Sequence, residues 1–329
     1  MFPGVSGVGR CLHASLLIVG LAGLWATSTP VPAAMPDVPI HLDCDRLAGA
    51  EAQAALSVLP APRIINLHGS VPIVTMEPFA RFLIGMGYPE ASLRDPRDAS
   101  LSMSSYTSST KLAGIVAWHY EQTGLRPMLI GHSRGGMLVV RTLHELDGAF
   151  AEAIPLHDPE RDEPLPRTSF RDPYTGAMQP VRGFRVAFGA AIATGTLPRL
   201  LQGQWTMVAR LRQIPDTVDE FTGFTIAWDP IAGNFGEAAA YVANGNAAVR
   251  NVLLPAATSH IGAPLTEHLA ADPVTRQAID AWRPEQGEPV LSDPSADARN
   301  IAHAADLWFS IRRHWCLEGQ RRLYEPKAT

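Results

Sequence analysis

Short apolar runs alternate along this chain with longer stretches in which apolar residues recur every three or four positions. The short runs predict strands at residues 63–67, 91–94, 126–131, 151–156, 221–228 and 249–254, with a further short one at 37–42. The longer stretches predict helices at 45–59, 77–86, 111–123, 136–143 and 297–316. In the third of these, Leu112, Ile115, Val116 and Tyr120 fall on one side. Residues 100–110 are rich in Ser and Thr and read as a loop. Strand and helix in alternation predict an α/β protein with a mostly parallel central sheet and helices on both faces.

The alternation breaks between residues 159 and 220. This stretch begins polar and proline-rich, then turns apolar at Phe184, Val186, Ala187, Phe188, Ile192, Leu197, Leu200, Leu201, Trp205 and Met207. It is expected to be an insertion between two sheet strands, either a cap over a site or the core of two packed helices. At the other end of the chain, Arg10 precedes an apolar run at 16–25, and small residues follow. Val31-Pro32-Ala33 and Ala26-Thr27-Ser28 both suit a signal peptidase, so residues 1–34 are expected to be a signal peptide. An uncleaved anchor is the other reading, although the run is short for a membrane span. Residues 35–329 would then be one domain, secreted or periplasmic.

Composition narrows the function classes. The chain has 329 residues, 46% of them hydrophobic, enough for a large core and too many for a disordered chain. Charged residues make up 18%, the formal net charge is -5, and no basic block suggests a nucleic-acid partner. The 28 prolines and 27 glycines imply many loops.

Candidate chemistry begins at Gly131-His132-Ser133-Arg134-Gly135, which follows the apolar Met128-Leu129-Ile130. A G-x-S-x-G pentapeptide between a strand and a helix is the pattern of a nucleophile elbow, where small residues let a tight turn hold a serine above the sheet. The plainer reading is a glycine-rich turn whose serine caps the next helix. A serine nucleophile needs a base, and the base needs an orienting acid. His260, six residues beyond the 249–254 run, is the candidate base. Asp229, directly after the 221–228 run, is the candidate acid; Asp158, after the 151–156 run, competes with it. Asp229 precedes a proline, so it would also suit a simple turn. Oxyanion stabilisation needs two N–H donors, for which the amides of Arg134 and Ser70 are the candidates. Beyond the expected signal, only Cys44 and Cys316 remain. They would form one long-range disulfide in an oxidising compartment, or else stay as two separate thiols; without a C-x-x-C pair they make a structural zinc site a poor fit.

With Leu67-His68-Gly69-Ser70, Gly131 to Gly136, Trp228-Asp229-Pro230 and Ser259-His260 together, residues 60–315 resemble the α/β-hydrolase superfamily, and within it bacterial secreted lipases and esterases. The resemblance implies Ser133 as nucleophile, His260 as base, Asp229 as acid, and Ser70 and Arg134 as oxyanion donors, on a reduced sheet of six to eight strands. It implies a small-molecule or lipid ester as substrate, transient contact with a lipid surface, and no metal or organic cofactor. Amide, thioester or perhydrolase chemistry on the same scaffold, and a non-catalytic binding protein, are the competing expectations.

Overall fold

The apolar runs become strands that lie side by side in the order of the chain. They are β1 (Ile64–Leu67), β2 (Met128–His132), β3 (Val186–Ile192), β4 (Val218–Ile226) and β5 (Ala248–Leu254), and every neighbouring pair is parallel. The computed structural model describes residues 41–325 apart from 72, 196–204, 237, 238, 256, 290 and 292–296. The expected signal peptide at 1–34, most of the expected strand at 37–42, and Leu197, Leu200 and Leu201 lie outside the described residues. Among the described residues the central sheet has five strands, not six to eight.

Alternation of side chains along the strands divides the core. Met128 and Ile130 join Ile64, Phe188 and Phe224 on one face, whereas Leu129 joins Ile65, Leu67 and Phe221 on the other. The first face is covered by α1 (Gly49–Ser57), α2 (Glu77–Gly85), α5 (Glu267–Ala271), α6 (Pro273–Ala281) and α7 (Ile301–Tyr324), through Leu56, Phe79, Leu269, Ile279 and Trp308 among others. The second is covered by α3 (Ser109–Thr123) and α4 (Arg134–Leu146), through Val116 and Val139. Helix α3 begins where the Ser108 side chain accepts from the Lys111 amide and ends where Gly124 turns left-handed. Among the described residues no helix is long and apolar enough to cross a membrane.

Three stretches differ from the sequence reading. Residues 91–94 form no strand: the amides of Ser92 and Leu93 turn back to Pro89 and Glu90 in a short 3-10 turn, and Arg94 pairs with Glu90. Flanking prolines at 89 and 96 confine this stretch. Residues 151–156 are not a sheet strand either. Leu156 exchanges backbone hydrogen bonds with Arg167 and Leu165, and the backbone of Pro155 lies against Gly114 of α3, outside the sheet. The stretch 159–220 is not one insertion, because its residues Val186–Ile192 are the middle strand of the sheet. That strand is buried on both faces and rich in Ala and Gly, so it shows no alternation for a pattern search to find.

Helix α7 runs on to Tyr324, beyond the predicted 316, and is tied down by charge. Glu220 on β4 accepts from Ser310 (2.8 Å) and His314 (3.1 Å), and Arg250 on β5 forks onto Asp306 (2.8 Å). Burial alone would raise the Glu220 carboxyl, but His314, Arg250 and Ser310 outweigh it and hold the pKa down to about 2. A carboxyl lowered on folding stabilises the native state above its unfolded pKa, near 4.5, and that stabilisation is lost as pH falls through the folded value. The unfolding free energy from urea titration is therefore expected to fall between pH 4.5 and 2, by up to about 3 kcal/mol from this group. Glu220→Gln should flatten that slope; an unchanged slope would exclude Glu220 as its source.

The two cysteines left after the expected signal are joined. Cys44 and Cys316 form a disulfide across 272 positions, fastening the chain before α1 to the body of α7. In the chain-entropy treatment a loop of this length stabilises by about 5–6 kcal/mol.

Candidate active site

Strand register brings the site together. Leu67 of β1 sits opposite Gly131 of β2, His132 opposite Ile192, and Ile192 opposite Phe224, so four strands end at one edge of the sheet. Ser133 follows β2 directly, Ser70 and Asp229 come three residues after β1 and β4, and His260 comes six after β5.

Ser133 connects β2 to α4 in a sharp turn with φ 53° and ψ -118°, a conformation that costs an ordinary residue of order 1–3 kcal/mol. The turn is held from both sides. The Ser133 amide donates to Ile192 O (2.8 Å), and the Thr194 hydroxyl donates to Ser133 O (2.9 Å). Glycine is obligatory at its flanks: a Cβ on Gly131 would stand 2.3 Å from Gly135 C, and one on Gly135 would stand 2.1 Å from Leu67 O. The Ser133 side chain does not cap α4. Its Oγ instead lies 3.0 Å from His260 Nε2. His260 Nδ1 lies 2.6 Å from Asp229 Oδ2. A carboxylate only accepts, so the proton sits on Nδ1 and Nε2 is left to accept from the serine hydroxyl. Asp229 is almost sealed (2% exposed), with its other oxygen accepting from the Ala232 amide (3.0 Å), whereas Ser133 and His260 each keep 8% of their surface. The opening is therefore at the serine end of the chain of hydrogen bonds.

Asp158 does not join this set. It sits in a small hairpin of residues 157–158 with 163–164, and its carboxylate accepts from the amides of Glu160 and Arg161 and pairs with the Arg161 guanidinium (3.0 Å). The strand that was to deliver it to the sheet edge does not exist. Among the described residues no cluster of three or more His, Cys, Asp or Glu is arranged to hold a metal ion.

No protein-family model and no curated protein matches this chain. What the site can do is therefore a question of its geometry alone.

Several supporting residues escaped the sequence reading. His132 Nε2 donates to the backbone carbonyl of His260 (2.8 Å). Burial, then the neighbouring His260, pushes the His132 imidazole down to about 3, so it stays neutral. Asn300, just before α7, donates to Gly262 O (2.8 Å) and Leu265 O (2.9 Å), and His303 donates to Ala263 O (2.8 Å). Burial lowers the His303 pKa to about 4. The loop carrying His260 is thus pinned at four carbonyls. No periodicity or motif signals such residues, because their partners are main-chain atoms.

Arg134 follows Ser133 in the chain, and Gly69, the residue before Ser70, lies beside Ser133 in space. The loop after β1 presses on the elbow, with a Cβ position on Gly69 only 3.3 Å from Ser133 Cβ. Arg134 is the first residue of α4, so its amide is among the four helix-end donors without an intrahelical acceptor. Beside the His260 loop is a cavity of about 380 Å³ bordered by Ser259, Gly262, Leu265, Pro255 and Ala298.

Proposed function

We propose that this protein is a serine hydrolase of the α/β-hydrolase type, cleaving carboxylic esters through an acyl-enzyme. One observation carries the reading: the unbroken Ser133–His260–Asp229 hydrogen-bond chain, with the serine held strained at a strand-to-helix turn above a parallel sheet. The chain order serine, acid, histidine agrees with it.

In the proposed reaction, Ser133 Oγ bonds to the ester carbonyl carbon while its proton passes to His260 Nε2. The amides of Ser70 and Arg134 take the charge that develops on the carbonyl oxygen. The intermediate collapses, the C–O bond to the alcohol breaks, and the alcohol leaves with the proton from His260. Water then adds to the acyl carbon, giving a proton to His260. The Ser133 ester bond breaks, the proton returns to Oγ, and the carboxylic acid departs. No step in this scheme calls on a metal or organic cofactor.

The surroundings favour apolar esters. Val71 and Ile73 follow Ser70, Trp228 and Ile231 bracket Asp229, and Ile261 follows His260, all with exposed side chains. Large apolar groups beside a site mark a surface for hydrophobic ligands, including lipid. Export fits too: the apolar segment before residue 34 reads as a signal peptide, and the Cys44–Cys316 disulfide suits an oxidising compartment.

A fluorophosphonate probe followed by peptide mass spectrometry tests the reading, together with a series of p-nitrophenyl esters. The expected result is one adduct, on Ser133, and ester turnover that it blocks. Labelling without ester turnover would redirect the assignment to amide, thioester or perhydrolase chemistry. No labelling at all would leave a binding protein.

A further inference from the structure

The two residues expected to stabilise the oxyanion are joined by side chains that play no part in the triad. Gly69 C=O and Ser70 N–H belong to one planar trans peptide unit, in which the two groups point in opposite directions. Whatever holds the carbonyl therefore aims the N–H. Two donors hold it: Ser105 Oγ at 3.1 Å and His68 Nδ1 at 2.8 Å, both from buried residues. The next carbonyl, Ser70 O, accepts from the Tyr106 hydroxyl (3.2 Å). From the other side, the Arg134 guanidinium lies over the Tyr106 ring, 4.0 Å from its centre, and its Nε reaches Ser105 O at 3.4 Å. The Ser105–Tyr106 pair thus grips two consecutive carbonyls of the first donor loop while the second donor residue grips the pair.

We propose that Ser105 and Tyr106 are positioning residues that fix the Ser70 amide relative to the Arg134 amide, so that the oxyanion hole is formed before substrate arrives. The idea rests on Ser133 being the acyl-transfer nucleophile. A peptide unit free to rotate would present its carbonyl, an acceptor, where a donor is required. The cost would fall on the transition state and not on ester binding, because the negative charge exists only there.

The test is kcat per active site, counted by fluorophosphonate titration, with KM and the inhibition constant of an alkyl boronic acid, which forms an anionic tetrahedral adduct. Ser105→Ala should lower kcat about 10- to 100-fold, less than the full loss of one donor, with KM within about two-fold. The boronic acid should weaken by a similar factor. Ser105→Thr, which keeps a hydroxyl, should recover most of the loss. Tyr106 is exposed at the surface, so Tyr106→Phe tests the same belt without threatening the fold and should cost about 3- to 10-fold in kcat. A purely structural role would lower the melting temperature and the titrated fraction but leave kcat per site intact. That outcome, in both Ser105→Ala and Tyr106→Phe, overturns the proposal. Wild-type protein that neither labels nor turns over ester would overturn the hydrolase reading itself, a distinct result.

Discussion

Ser133→Ala and His260→Ala are each expected to lower kcat by about 10⁶-fold, and the double variant hardly further. The two side chains act as one unit: with no hydroxyl there is nothing to deprotonate, and with no imidazole the hydroxyl stays a poor nucleophile. Asp229→Asn should cost about 10⁴-fold. The amide offers an N–H as readily as an oxygen, so it no longer forces the proton onto His260 Nδ1, and the tautomer needed at Nε2 loses its advantage. Folding should survive, because Asn fills the same volume and still accepts from the Ala232 amide. Asp158→Asn should stay within about two-fold of wild type, since that carboxylate is spent on its own turn and on Arg161. Steady-state kinetics on a p-nitrophenyl ester, with circular dichroism as the folding control, checks all five. A large loss from Asp158→Asn with little from Asp229→Asn would mean that the acid has been misassigned.

That Ser133, His260 and Asp229 meet in a candidate site was legible in the sequence for a physical reason. Ser133 and Asp229 each come within three residues of the end of a strand, His260 comes six after one, and the strands are apolar enough for their ends to be seen. The elbow glycines added a second, independent signal. The fold was less legible where burial removes contrast. Val186–Ile192 is enclosed on both faces, so nothing polar marks its period, and its alanines and Gly189 carry no strand preference. Residues 151–156 failed in the opposite sense. Ile154 and Leu156 are buried, but outside the sheet, where Pro155 between them lies against α3, and an apolar run cannot say which neighbour buries it. His132, Asn300, His303 and Ser105 were invisible because each serves a backbone carbonyl, which every residue possesses.

Gly135→Ala is expected to damage both stability and activity severely for the addition of a single methyl group. A Cβ there would stand 2.1 Å from Leu67 O, 2.7 Å from Leu67 C and 2.7 Å from His68 O. These are backbone atoms at the end of β1, so no flexible side chain can swing aside. Leu67 is itself fixed by parallel pairing with Gly131 and by a bridge to Met103, and α4 is fixed by packing of Val139 and Leu143. Either the helix lifts from the sheet or the strand end moves. Overpacking between rigid partners costs typically 1–3 kcal/mol and more when both are backbone, so a loss of about 3 kcal/mol or greater is expected. For a chain of this size that corresponds to a melting temperature lower by roughly 6–12 °C. Activity should fall further than stability, because the displaced strand end carries His68, Gly69 and Ser70 away from Ser133. Thermal denaturation and kcat measured on the same preparation separate the two effects. A variant that melts within a degree of wild type and keeps full turnover would show that α4 does not rest against the end of β1, and with that the close approach of the loop at residues 68–70 to Ser133 would be lost.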